Sequence, residues 1–280
     1  MPIHDQGYRR YEGHRAPHGR TWWVIARAGL MERLRERKFL GLLLGAWLPF
    51  VFYAITLYIS ANIPQAAAVF EVSPTRFRDF FDVQSIFVFF ITIYVGSGLI
   101  ANDRRANALQ IYLSKPLTRV DYITGKMVTL LIFLVGVTWL PAMLLLLLQV
   151  LFAGNFTFLR ANLFLIPAIT VFSAIQVLWS AFAMLALSSL SKNRRFVAMM
   201  YAAFVFFTLP LYQVLRQITG SRTWALISPE DVLDAIAAVL FRVPGTPSVP
   251  LPLALLVVVA MIGTAVWVLE RRIRGVEVVT

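Results

Sequence analysis

The chain has 280 residues, 59% of them hydrophobic and 14% charged, where an ordinary soluble domain carries about 25% charged residues. A mean hydropathy of +0.73, concentrated in long uncharged runs, excludes a pair of soluble domains and describes one polytopic membrane domain. The formal charge of +12 would point a soluble protein towards nucleic acid, while the absence of cysteine excludes disulfides, thiolate metal sites and a cysteine nucleophile.

Residues 1–19 are polar and without helical period, the pattern of a mobile tail. Its histidines, His4, His14 and His18, are irregularly spaced and lack carboxylate partners, so no metal site is expected. Over residues 20–38, Trp23, Ala26, Leu30 and Leu34 recur every three or four positions among Arg27, Arg33, Arg35, Arg37 and Lys38. That spacing predicts an amphipathic helix lying in the membrane interface, with Trp22 and Trp23 at headgroup level.

Stretches free of charge then predict six spans, at about 39–60, 83–101, 127–152, 163–191, 196–215 and 251–269. Pro141 and Pro167 are expected to bend the third and fourth. Before the last span, Ser228, Pro229, Glu230 and Asp231 read as a capped helix start. The apolar residues Val232, Leu233, Ile236, Ala237 and Leu240 follow, so a short helix over about 229–241 is expected to dip into the outer interface.

Six spans place both termini on one side. Only Arg76, Arg78, Arg160, Arg216, Arg222 and Arg242 then fall on the other side, where Glu71, Asp79, Asp82, Glu230, Asp231 and Asp234 balance them. The whole net charge of +12 lies on the side of the termini, which the retention of basic residues assigns to the cytoplasm. This asymmetry accounts for the basic composition with no nucleic-acid partner.

The segment from Asn102 to Lys126 carries the most information. Its first half continues the second span as a helix with Asp103, Arg104 and Arg105, and with Leu109, Tyr112 and Leu113 at helical spacing. Pro116 breaks that helix, and Thr118 with Asp121 three residues later forms a capping box that starts the next. Two helices thus meet at a basic corner able to transmit a push from a soluble partner into two spans.

Gly98 to Lys126, GLIANDRRANALQIYLSKPLTRVDYITGK, resembles the signature of ABC-2 type permeases, with Asp103, Leu109, Leu113, Pro116, Arg119, Tyr122, Gly125 and Lys126 at matching positions. It departs at Asn107 and Ala108, where that family more often has Gly and Thr. Asn tolerates the left-handed conformation, so a bend that uses Gly elsewhere is expected to survive. The resemblance covers nearly the whole chain, from an elbow helix through six spans. It implies an ATP-driven exporter in which Asp103, Arg104, Arg105, Leu109, Tyr112, Pro116 and Arg119 contact a separate cytoplasmic ATPase. It further implies two ATPase copies holding ATP and Mg, and a second permease chain, identical or homologous.

The residues agree on what this chain lacks. Gly125 and Lys126 do not form a phosphate-binding loop, since Val120 stands where its first glycine would be and Met127 where its hydroxyl would be. The chain therefore needs no cofactor and is no enzyme by itself. No ionisable residue falls within the six span cores, which disfavours proton-coupled carriage and intramembrane hydrolysis. Ser173, Gln176 and Ser180 share a face of the fourth span, and Gln149 stands in the third. Such residues line a translocation path or form a close helix or dimer contact. The expected fold is thus an all-α bundle of six transmembrane helices with an N-terminal elbow helix, in a bacterial plasma membrane among its lipids. The expected function is export of a hydrophobic or amphipathic cargo. A non-transporting anchor or assembly factor that recruits a cytoplasmic partner is the alternative.

Overall fold

The structure, a computed structural model, describes residues 21–63, 73–108, 118–245 and 249–273, and among them every regular element is helical. Six helices are long and apolar enough to cross a membrane: Arg37–Asn62, Thr75–Arg105, Arg119–Ala153, Leu165–Leu190, Arg194–Thr219 and Leu251–Arg272. All but the fourth enclose the expected spans, and the fourth begins two residues late and ends one early. The second reaches outward to Thr75, carrying Arg76, Arg78, Asp79 and Asp82 on its far end.

Three of the six are interrupted. Helix α1 (Thr21–Leu34) precedes the first crossing, which comprises α2 (Arg37–Gly45) and α3 (Leu48–Asn62). Pro49 cannot donate to the Gly45 carbonyl, and beside it the Ala46 carbonyl accepts from the buried Gln84 side chain at 3.0 Å. The second crossing is α4 (Thr75–Ile91), a π-helical turn at Thr92–Gly96, and α5 (Ala101–Arg105). The third divides into α6 (Arg119–Val137) and α7 (Trp139–Ala153) at Thr138. That break lies one turn before Pro141, as the expected bend requires. Pro167 does not bend its helix: it lies in the first turn of α9 (Leu165–Leu190), where no intrahelical donor is needed.

A short helix α8 (Thr157–Ala161) joins α7 to α9, and α10 (Arg194–Thr219) is the fifth crossing. A 3-10 turn at Arg222–Ile227 leads into α11 (Pro229–Leu240), and α12 (Leu251–Arg272) is the sixth crossing. Ser228 caps α11 by accepting from the Asp231 N–H. Val232, Ala235, Ile236 and Ala237 of α11 are buried against the far ends of the crossings.

Helix α1 lies along the start of α6, and the fit rests on small residues. A Cβ on Gly125 would lie 2.7 Å from the Trp22 carbonyl oxygen and 2.7 Å from the Ile25 Cβ, and one on Gly29 would lie 2.9 Å from Thr129. The inward face is therefore Trp22, Ile25, Ala26, Gly29 and Arg33, while Trp23 and Leu34 of the expected stripe are exposed. The helix also ends at Leu34 rather than continuing to 38.

The interior forms two clusters stacked along the crossings. One holds Phe39, Val88, Tyr122, Leu130, Val177, Met184, Val205 and Leu269, at the end that carries the excess Arg and Lys, here the basic end. The other holds Leu57, Phe81, Leu145, Phe172, Tyr212, Ile236 and Val258, at the far end. Between them, crossing by crossing, come the break at Ala46 and Trp47, buried Gln84, Thr138, buried Gln176, and Thr208 with Pro210.

Candidate functional site

The break after the second crossing is built from residues close in sequence. Asn107 takes φ of 52°, the left-handed turn that its residue type tolerates. Across the segment, Thr118 caps α6 through a reciprocal bond with Asp121. Tyr122 and Lys126, one helical turn apart on α6, converge on Asp103 of α5. The Tyr122 hydroxyl donates to Asp103 Oδ2 at 2.7 Å, and Lys126 Nζ lies 2.7 Å from the same oxygen. The Lys126 ammonium also lies over the Tyr122 ring, 5.6 Å from its centroid. One carboxylate thus ties α5 to α6 in a largely buried setting.

A second knot holds the same segment to α9 and α10. Ile100 and Ala101 N–H groups, left without helical partners by the turn at 97–100, both donate to Ser188 Oγ at 3.1 Å, and that hydroxyl donates to the Ser97 carbonyl at 3.0 Å. Arg104 turns inward and donates to the Ser189 carbonyl. Arg194 of α10 donates to the Tyr94 carbonyl at 2.8 Å and stacks over the Tyr94 ring. The Tyr94 hydroxyl donates to Glu36, which Arg33 meets at 2.6 Å from the end of α1. Burial pushes the Glu36 carboxyl up, but the Tyr94 hydrogen bond and the Arg33 and Arg194 charges outweigh it and hold the group below its ordinary value. Five helices and the π-turn therefore meet through these two polar knots at the basic end.

Of the expected contact residues, Asp103 and Arg104 are turned into these knots, whereas Arg105 and Arg119 are exposed. Leu109, Tyr112 and Pro116 lie outside the described residues. In the interior, Gln149, Ser173, Gln176 and Ser180 are all buried by this chain's own helices. Gln176 in addition lines a cavity at the far end. Sequence reasoning singled out neither Ser188 nor the Arg33, Glu36, Tyr94 and Arg194 relay. Only the Arg33 to Glu36 spacing of three carried a local signal.

The sequence profile of the ABC-2 family transporter proteins matches residues 23–225, more than half of the chain. No curated protein matches it. The matched span holds both knots and the exposed Arg105 and Arg119.

Proposed function

We propose, from the premise that this chain belongs to the ABC-2 family of transporter proteins, that it is the permease subunit of an ATP-driven exporter. As a multi-pass membrane protein of that family it has a transport role rather than a catalytic one, alongside an ATPase. In our reading that ATPase is a separate cytoplasmic protein present in two copies, which binds ATP and Mg and docks at the basic end. Two permease chains, identical or homologous, then form the membrane unit in a bacterial plasma membrane. The cargo is hydrophobic or amphipathic, consistent with span cores free of charge.

The observation that carries this reading is the double knot around residues 94–104. A push on the exposed corner at Arg105 and Arg119 is delivered through Asp103 to α6, and through Arg104 and Ser188 to α9. Asp103 and Arg104 act here as positioning groups, and Arg105 and Arg119 as the docking charges. The test is co-purification from solubilised membranes. Wild-type chain is expected to bring down a nucleotide-binding protein with ATPase activity, and Arg105→Glu with Arg119→Glu to lose it while still inserting. A stable chain with no ATPase in several mild detergents would refute the permease reading and favour the anchor or assembly factor.

A further inference from the structure

At the far end, α4, α9, α10 and α11 surround an open cavity of about 320 Å³ lined by Arg78, Asp82, Gln176, Glu230, Asp231 and Asp234. Four carboxylates face it against one guanidinium. Arg78 is already committed: its Nε donates to Asp234 at 3.1 Å, and its Nη2 lies 3.5 Å from Asp82, with Asp79 on its other side. Among the described residues no ion pair engages Glu230 or Asp231, although Arg216 of α10 lies close enough to Asp231 to be felt.

The first turn of a helix favours carboxylates, so Glu230 and Asp231 alone would need no ligand. Gln176 adds a separate observation from a different helix. It is 4% exposed, and its Oε1 is shielded from bulk solvent with no donor in this chain. Asp231 is half-buried and its carboxyl has the Ser228 side chain beside it, but its Oδ2 is likewise shielded and without a donor. A buried acceptor without a donor is costly, and two lining one cavity call for a donor from outside the chain. Phe81, Phe172, Leu209 and Leu233 supply an apolar wall beside them. A metal ion does not fit, since among the described residues no three carboxylates converge as its ligands.

We propose that this cavity binds a primary ammonium group carrying an apolar chain. Its charge meets Glu230 and Asp231, its N–H groups donate to Asp231 Oδ2 and Gln176 Oε1, and its tail lies along Phe81, Phe172 and Leu209. A free amphiphilic amine and an amine lipid headgroup share this chemistry. Binding here stands independently of the transport reading, because it requires neither ATPase nor cargo movement.

The experiment uses the purified full-length chain, with hexylamine and hexyltrimethylammonium as probes in thermal-shift and calorimetric titrations. Nanodiscs of phosphatidylethanolamine or phosphatidylcholine, with retained lipid read by native mass spectrometry, form a parallel arm. Wild-type protein is expected to bind hexylamine about tenfold more tightly than its trimethyl analogue, as the loss of hydrogen bonds to charged partners implies. Glu230→Gln/Asp231→Asn and Gln176→Leu should each weaken hexylamine while keeping the wild-type elution profile. Selective retention of phosphatidylethanolamine without hexylamine binding would assign the site to the lipid, and the reverse to a free amine. Measurable but equal binding of the two probes, binding unchanged in both variants, or no amine or headgroup preference in either arm would overturn the proposal.

Discussion

Replacing Asp103 by Asn tests the knot that ties the second crossing to the third. The substitution keeps an acceptor for the Tyr122 hydroxyl and removes the charge that faces Lys126 at 2.7 Å. The side chains of Lys126 and Asp103 are only 15% and 18% exposed, so the ammonium is left without an anion in a mostly desolvated place. Removing one partner of a fully buried pair costs about 3–5 kcal/mol, and the residual exposure with the retained Tyr122 bond brings the expectation to about 2–3 kcal/mol. Lys126→Met in the same background removes the stranded charge, so the double variant should recover most of that loss, with a coupling of about 1.5–2.5 kcal/mol. Unfolding in mixed micelles by titration with dodecyl sulfate, followed by tryptophan fluorescence, gives all four corners of the cycle. A coupling below about 0.5 kcal/mol, or Asp103→Asn as stable as the wild type, would refute the view that this pair holds α5 to α6.

Three further outcomes follow from geometry. Gly125→Leu drives a side chain into the Trp22 carbonyl and Ile25, and should cost about 1–3 kcal/mol while exposing α1 to limited proteolysis before the rest of the chain; unchanged cleavage would show that α1 does not depend on this contact. Ser188→Ala leaves the Ile100 and Ala101 N–H groups unpaired at a buried site, and should lower stability by about 1–3 kcal/mol and speed hydrogen exchange at those two amides above that of α9. For Glu230, burial first and the Asp231 charge second push the carboxyl above its ordinary value of 4.5, so the folded state binds its proton more tightly than the unfolded one. The resulting stabilisation is complete below 4.5 and is lost as pH rises through the raised folded value. Glu230→Gln should therefore exceed the wild type in melting temperature at neutral pH, with the gap closing as pH falls towards 4.5; a gap that widened on acidification would contradict the sign.

Features set by neighbours in sequence were readable before any coordinates. The capping box of Thr118 and Asp121, the left-handed Asn107, the break before Pro141 and the capped start of α11 each depend on contacts within a turn. The helix crossings were readable too, because charge-free length decides them. What escaped the sequence depends on distant partners. The face that α1 turns inward is chosen by the groove that Gly125 and Thr129 leave on α6, about a hundred residues away, and this overrides the stripe of Trp23 and Leu34. That Arg104 donates to the Ser189 carbonyl was not legible, because nothing local marks that acceptor. Pro167 illustrates the opposite error, in which a local rule was applied without knowing that the helix begins two residues earlier. The division of the charges flanking the segment into inward and outward sets came only from the tertiary arrangement.

The level between the two apolar clusters carries a mechanical consequence. Helix breaks at Ala46 and Thr138, the proline at 210 and the side chains of Gln84 and Gln176 all fall at that height. A beam is weakest where its cross-section is cut, and here several beams are cut at one storey. A load applied at the basic end is thus taken up as flexure where the first and third crossings are cut, while α9 passes through the same level uncut, so the crossings need not all move as one body. A substitution that stiffens the storey, such as Pro210→Ala, would be felt as lost compliance rather than as a lost contact.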